Sequence, residues 1–383
     1  MRFPEFSDPW QQSTLGEVAE INPPTENVLP HKFRYIDLGT VEKGVLLKHN
    51  VISKDNAPSR AQRLLKDHDV LFQMVRPYQQ NNLYFRPVEN IPSVASTGYA
   101  QLRSFQSGRF LYYAIHSATF LGEVLNRCTG TNYPAINATD LSSLPLSLPS
   151  LDEQRKIAEF LSLIDERIET QRQTIEERKK QKKALICNFF KEIDFSTCPI
   201  SDFGELKNGY AFRSDTYDCN GSHRIITISN VTGDRYTNMS NHNSVRTLPK
   251  DIKPHQILQH NDILISLTGN VGRVSLCSVD GDLLNQRVGV LKVFDSFYKQ
   301  YVYHLLSSRH FEQSMIDRGQ GAAQLNISKT DIENYNIPSP HNKSIIPILS
   351  NTLNCFDERI EVEEKLLGKY EEQKQYLLRK MFV

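Results

Sequence analysis

Arg76-Pro77-Tyr78-Gln79-Gln80-Asn81-Asn82 and Thr129-Gly130-Thr131-Asn132-Tyr133 are two polar stretches crowded with hydrogen-bonding side chains. A second pair comes later, at Thr268-Gly269-Asn270-Val271-Gly272-Arg273 and Gly319-Gln320-Gly321-Ala322-Ala323-Gln324. Arginine matches the two acceptors of guanine, and Asn or Gln matches the donor–acceptor edge of adenine, by paired hydrogen bonds in a major groove. The candidate contacts are Arg76, Tyr78, Gln79, Asn81, Thr131 and Asn132 in the first pair. In the second they are Thr268, Asn270, Arg273, Gln320 and Gln324. Ordinary polar surface loops have the same composition, and that reading stays open.

The elements that must hold these loops are written twice. Asp-Glu-Arg-Ile-Glu occurs at Asp165–Glu169 and again at Asp357–Glu361, 192 positions later. Gln181-Lys182 recurs as Gln373-Lys374, and Phe190 as Phe382. Leu15-Gly16-Glu17-Val18 is matched to Phe203-Gly204-Glu205-Leu206, and Asp69-Val70-Leu71-Phe72 to Asp262-Ile263-Leu264-Ile265. Ile136-Asn137-Ala138-Thr139-Asp140-Leu141 is matched to Ile327-Ser328-Lys329-Thr330-Asp331-Ile332. Each offset lies near 190, so one unit is duplicated. The frame residues agree between copies and the loop residues do not.

Each copy ends in a heptad helix. Apolar residues at 4-3 spacing run from Ile157 through Leu161, Ile164, Ile168, Ile175, Leu185 and Phe189, with Gln171, Arg178 and Lys182 at the remaining seam positions. The second copy runs Leu349, Leu353, Phe356, Ile360, Glu363, Leu367, Tyr370, Lys374, Leu377 and Met381. Such a seam predicts coiled-coil pairing. Helices of about 35–40 residues would be roughly 55–60 Å long. Ser150…Glu153 predicts a capping box at the start of the first. The polar seam positions fit a partner surface, a solvated stretch or a device that fixes register. Lys179-Lys180-Gln181-Lys182-Lys183 fits a solvated helix face or a phosphate grip.

The predicted organisation is mixed α/β (α+β): globular domains at 1–149 and 194–340, long helices at 150–193 and 341–383. Strands are expected at Phe33–Leu38, Val70–Val75, Tyr99–Leu102, Ile225–Ile228, Asp262–Leu267 and Val288–Val293. A helical stretch follows in each copy, near Phe110–Leu125 and Tyr298–Met315.

Composition narrows the class only broadly. Of 383 residues 39% are apolar and 23% charged, which suits a water-exposed protein with cores. No apolar run approaches the roughly 18 residues of a membrane helix, the N-terminus lacks a signal-peptide pattern, and a cytoplasmic location is expected. Six scattered cysteines without a CxxC pair are expected to be free thiols. The net charge of +1 is spread evenly: residues 1–150 carry 14 Lys+Arg against 13 Asp+Glu, and residues 194–340 carry 14 against 15. A nucleic-acid binder usually shows a basic excess, so such a role needs local patches or partners that bring positive charge.

Catalytic signatures are sparse. Asn22-Pro23-Pro24 resembles the NPPY-type motif of adenine methyltransferases, but Thr25 stands where the stacking aromatic belongs, and a turn is expected. There is no P-loop, HExxH or GxSxG string. His255 and His260 lack a third ligand, and Asp69 and Asp262 are expected to be turn acceptors at the strand starts.

The order of variable domain, long helix, variable domain, long helix resembles the DNA-specificity subunit of type I restriction-modification systems. The likeness rests on the Leu-Gly-Glu start, the Asp-Val/Ile-Leu strand, the polar glycine loop, the Leu148-Pro149-Ser150-Leu151-Asp152-Glu153-Gln154 helix entry and the Asp-Glu-Arg-Ile repeat. Pro338-Ser339-Pro340-His341-Asn342-Lys343 departs from the entry pattern in the second copy. The resemblance implies two target-recognition domains, each reading half of a split, asymmetric double-stranded DNA target. It implies helices pairing antiparallel, with pseudo-two-fold symmetry, that set the spacing. Two modification (methyltransferase) subunits and two restriction (translocase/nuclease) subunits would be the partners. S-adenosylmethionine, ATP and Mg would sit on those partners, with no cofactor, metal or catalysis in this chain and no membrane contact. A coiled-coil adaptor that binds only proteins, and a self-contained DNA adenine methyltransferase, are the competing readings.

Overall fold

The computed structural model describes residues 1–25, 29–87, 90–319 and 325–382. The chain divides into two units: Met1–Arg172 with Lys365–Val383, and Gln173–Glu364. The boundary falls inside both long helices, Leu151–Glu192 and Ile345–Met381, so each unit holds one globular domain and a piece of each helix.

In the first unit an antiparallel sheet has the order Ala19–Ile21, Tyr99–Ser104, Val70–Gln73, Leu83–Tyr84. A second sheet has the order Val51–Ser53, Lys32–Ile36, Ser93–Ser96, Ala61–Leu64, with a parallel pairing of Ser93–Ser96 on Lys32–Ile36. Gln11–Thr14 pairs with Pro145–Leu148. The second unit repeats the plan: Gly204–Asn208, Val288–Val293, Ile263–Ser266, Val274–Leu276 in one sheet, and Asn243–Val245, His223–Ile226, Leu283–Leu284 in the other. Here too the middle pairing, His223–Ile226 on Leu283–Leu284, is parallel. Central strands are buried throughout, as their continuous apolar runs demand.

The helical stretches expected near Phe110–Leu125 and Tyr298–Met315 are each two helices. Gly108–Ala114 gives way to Ala118–Arg127, and Lys299–Leu306 to Arg309–Arg318. The break is a serine cap: Ser117 Oγ accepts from the Phe120 amide, and Ser308 Oγ from the Phe311 amide.

One frame match needs correcting by three residues. The Leu15 amide donates to the Leu144 carbonyl, and the Ile200 amide to the Tyr335 carbonyl. Ile21 then faces Leu102 across the sheet as Leu206 faces Leu291. Leu15 therefore corresponds to Ile200, not to Phe203. The shared Gly-Glu letters were a coincidence; sheet register follows which apolar residues are buried.

The expected capping box at Ser150 is only half formed. Ser150 Oγ accepts weakly from the Glu153 amide at 3.4 Å, while the Glu153 carboxylate is taken by Arg2 at 2.6 and 2.7 Å.

Within each unit the helix segments run antiparallel, and ion pairs occupy the polar seam. In the first unit Lys374 Nζ reaches Asp165 at 2.6 Å and Arg172 reaches Glu371 at 2.7 Å. In the second, Lys182 pairs with Asp357, Arg178 lies 3.6 Å from Glu363 and Lys179 3.0 Å from Glu364. From Asp165 to Arg172 the partner moves back from Lys374 to Glu371, and from Arg178 to Lys182 it moves back from Glu363 to Asp357, which is the antiparallel signature. The repeated Asp and the repeated Lys are thus each other's counterpart partners, so the polar positions fix register. Each aspartate also meets its own domain. Tyr113 Oη donates to Asp165 Oδ2 at 2.8 Å, and His304 Nδ1 stands 3.6 Å from Asp357 Oδ2.

Candidate nucleic-acid interface

The candidate loops hang from the carboxyl end of the inner strand in each sheet. In the first unit that strand begins at Asp69, whose Oδ2 accepts the Lys66 amide and whose carboxylate pairs with Arg103. Asp262 does the same with the Gln259 amide and Lys292. Both aspartates are turn acceptors, as expected, and both are buried.

At the other end of the strand sits Gln73, 1% exposed. Its Nε2 donates to the Val75 carbonyl and to Gln79 Oε1, each at 2.8 Å, and its Oε1 accepts from the Asn81 amide at 3.0 Å. One buried amide therefore braces the loop from 75 to 81. The turn needs left-handed backbone at Arg76 (φ 55°) and Gln80 (φ 51°) around the Pro77–Gln79 turn. Such conformations cost energy outside glycine and persist where surrounding structure enforces them.

The second loop docks on the first. Val75 and Thr129 both bridge to Ala135, and the Arg76 amide donates to the Pro134 carbonyl at 2.7 Å. Arg76 lies 4.3 Å from the ring centroid of Tyr133, which holds the guanidinium by a cation–π contact. Tyr78, Gln79, Thr131, Asn132 and Tyr133 are exposed beside it. Asn81 is different: its Oδ1 accepts from the Lys43 amide at 3.1 Å, so part of its hydrogen-bonding edge is committed to scaffold.

In the second unit Ser266, fully buried, takes the place of Gln73. Its Oγ bonds the Asn270 carbonyl and accepts from the Arg273 amide at 3.0 Å. Thr268 Oγ1 donates to Asn326 Oδ1 at 2.9 Å, and the Gly269 amide donates to the Leu325 carbonyl at 2.8 Å. Gly272 has φ +77°, and a Cβ there would meet Met315 Cβ at 2.7 Å, so only glycine fits. Asn270 is exposed. Arg273 pairs with Glu312 at 3.3 Å, both about one third exposed, a surface pairing weak enough to exchange for another anion. Gln320 and Gln324 lie outside the described residues.

Gln73 and Ser266 were missed in the sequence, although a signal was present. Each is the single polar residue closing an otherwise apolar strand, Asp-Val-Leu-Phe-Gln and Asp-Ile-Leu-Ile-Ser. Asn22, in the Asn-Pro-Pro string, has φ 53° and accepts the Gln101 amide on Oδ1 at 3.0 Å; it is a turn residue. His255 is half-buried and His260 exposed, and they bond the carbonyls of Asn208 and Ser278. Among the described residues no helix is long and apolar enough to cross a membrane.

The comparisons with known proteins agree with this duplicated frame. The chain is 25% identical over 298 residues to the MjaVIII specificity subunit of Methanocaldococcus jannaschii, covering 70% of this chain and 68% of that one. It is 21% identical over 242 residues to the HindI specificity subunit of Haemophilus influenzae, covering 60% of this chain and 52% of that one. Matches thus span about half to two thirds of these relatives. The fold is shared with a chain from a solved type I R-M system (21% identity, TM-score 0.57, 99% of this chain and 98% of that one). It is also shared with the type I S subunit of M. genitalium (14% identity, TM-score 0.57, 100% and 97%). A family model described as the type I restriction modification DNA specificity domain matches residues 7–178 and again residues 192–368, one match on each copy of the frame. By that double match over most of its length, the chain belongs to the type I restriction-modification DNA specificity family.

Proposed function

We propose that this chain is the specificity subunit of a type I restriction-modification complex, each globular domain reading one half of a bipartite, asymmetric double-stranded DNA target. The observation that carries the reading is the pair of braced loops. The same strand end, Gln73 in one copy and Ser266 in the other, holds loops of different content. A conserved frame with exchanged contents is what two independent readers require. Arg76, Tyr78, Gln79, Thr131 and Asn132 face DNA in the first domain, and Thr268, Asn270 and Arg273, with Gln320 and Gln324, in the second.

The paired helices set the spacing and dock two modification subunits, which carry S-adenosylmethionine and the adenine-methylation chemistry. Two restriction subunits bring ATP- and Mg-dependent translocation and cleavage. The chain itself catalyses nothing and works in the cytoplasm. Its even charge is accommodated if the partners make much of the phosphate contact.

The test is DNA binding by the chain assembled with methyltransferase subunits. Sequence-specific affinity that falls linearly with the logarithm of salt concentration is expected. Assembly with no DNA preference would leave the protein-only adaptor as the better reading.

A further inference from the structure

His116 stands in the short link between the helices Gly108–Ala114 and Ala118–Arg127, half-buried against Asn82. The polar atoms around its ring each have one role. Nδ1 lies 2.6 Å from the Tyr112 carbonyl, which can only accept, so Nδ1 carries the proton. A neutral imidazole then offers a lone pair at Nε2. Asn82 Nδ2 is 3.3 Å from that nitrogen and donates to it. The Asn82 amide is fixed in this orientation, because its Oδ1 accepts the Gln73 amide at 2.8 Å. Burial, with Lys374 acting the same way and Asp165 against it, pushes the imidazole down to about 4, so Nε2 remains an acceptor at neutral pH.

The loop reached by this chain of bonds is a demanding one. Arg76 and Gln80 are left-handed (φ 55° and 51°) without being glycine, and such conformations persist where neighbours enforce them. Gln73 braces the residues up to Asn81, and Tyr99 Oη donates to the Asn81 carbonyl at 3.1 Å. Asn82, 2% exposed, is where the loop returns to the strand Leu83–Tyr84. Taking His116 away would strip a buried amide of a partner, which is costly.

The second copy makes its turn by other means. Ser117 and Ser308 correspond by their caps, so Ser307 stands where His116 does. The Ser307 hydroxyl donates to the His304 carbonyl at 3.2 Å, at its own helix end. The left-handed residues of the second loop are Gly269 and Gly272 (φ 76° and 77°), which take that conformation without a Cβ penalty. A loop bent at glycines has less need of a brace.

We infer that His116 is a positioning residue for the first domain: its imidazole holds Asn82, and through it the return arm of the loop that carries Arg76, Tyr78 and Gln79. The inference rests on the DNA-reading function proposed above, and it gives one half of the target a support that the other half does without.

The test uses the full chain assembled with methyltransferase subunits, and duplexes bearing the target mapped from its own methylation, intact or altered in one half. The half belonging to the first domain is the one left unchanged when residues 194–338 are exchanged. Two variants separate the ring nitrogens, since an Asn side chain reaches the place of Nδ1 and a Gln side chain that of Nε2. His116→Asn keeps a donor for Tyr112 and releases Asn82; it should lower discrimination at the first half about tenfold, the lower end of one base contact. His116→Gln sets an amide oxygen opposite Asn82 and should keep the parental preference. Discrimination at the second half and the salt slope should not change in either variant, since no phosphate contact is touched. First-half loss in His116→Gln, whatever His116→Asn does, would overturn the assignment. So would parental preference in both variants, or equal loss at both halves. Independently of how the variants fold, the histidine nitrogen resonances of the isotope-labelled chain should place the His116 proton on Nδ1; a proton on Nε2 would overturn the acceptor role while leaving DNA reading intact. A parent complex without sequence preference would overturn the DNA-reading function and this assignment with it.

Discussion

Tyr113–Asp165–Lys374 in the first unit and His304–Asp357–Lys182 in the second are the same three positions solved twice. The Asp–Lys pair is retained and the third member is not. Side-chain exposure also differs: Asp165 is 31% exposed and Asp357 9%. The lesson is that the two halves share an electrostatic frame but were free to differ in how deeply it is buried and which domain residue completes it. The polar loops braced by Gln73 and Ser266 show the same division on a larger scale.

The broadest way to break this comparison is to exchange a whole domain. Replacing residues 194–338 with the matching domain of a relative should change one half of the recognised DNA sequence and leave the other intact. Mapping methylated adenines by sequencing reads the outcome directly; a change in both halves would end the idea of independent readers.

Next in size is the buried aspartate. Asp357→Ala leaves Lys182 buried without its partner and should cost about 3 kcal/mol. Asp165→Ala, at the more exposed site, should cost about 1 kcal/mol. Denaturant unfolding of the two variants checks the ranking, and equal losses would mean that burial does not distinguish the clusters.

The loop arginines sharpen the comparison at the DNA. Arg76→Ala and Arg273→Ala, each in the assembled complex, should cost about 1–3 kcal/mol in discrimination if they make base contacts. Arg76 is held over Tyr133 and Arg273 must first leave Glu312, so Arg76→Ala is expected to do more damage. Competition binding with duplexes altered in one half-site measures both, and parental preference in both variants would show that these loops do not touch DNA.

The smallest effect is in acid. Burial, with Lys182 nearby, pushes the His304 imidazole down to about 3, from an ordinary 6.5. Its folded pKa is depressed, so the unfolded chain binds the extra proton first. The stability it contributes is therefore present above pH 6.5 and is lost as pH falls from 6.5 toward 3. His304→Tyr supplies a hydroxyl to Asp357, as Tyr113 does to Asp165, and should flatten the fall in melting temperature between pH 6.5 and 4. An identical pH profile would show that His304 does not set acid sensitivity.

Much of this was legible in the residues, for identifiable reasons. Heptad spacing predicts both long helices because the seam from Ile157 to Phe189 repeats faithfully, and burial of Ile157, Leu161, Ile164 and Ile168 follows. The Asp-Val-Leu and Asp-Ile-Leu starts predict strands because a buried run needs a polar residue to close the preceding turn. What escaped depends on contacts distant in sequence. The pairing of Asp165 with Lys374 joins residues far apart in the chain, so no local pattern announces it. The Leu-Gly-Glu match misled because four letters weigh less than sheet register. Gln73 and Ser266 were readable in principle, since a lone polar residue closing an apolar strand must find partners when buried.

The unit boundary inside the long helices has a consequence for synthesis. Residues 173–364 form a contiguous unit, whereas the first unit needs Lys365–Val383 to complete its helix pair. On a ribosome, where N-terminal domains generally fold first, this chain is expected to finish its second half before its first. Until Lys365–Val383 is made, the apolar seam from Ile157 to Ile168 lacks the residues Leu377, Leu378, Met381 and Phe382 that share its core. A chain cut after Glu364 would therefore keep every residue of the second unit and lack the segment that completes the first.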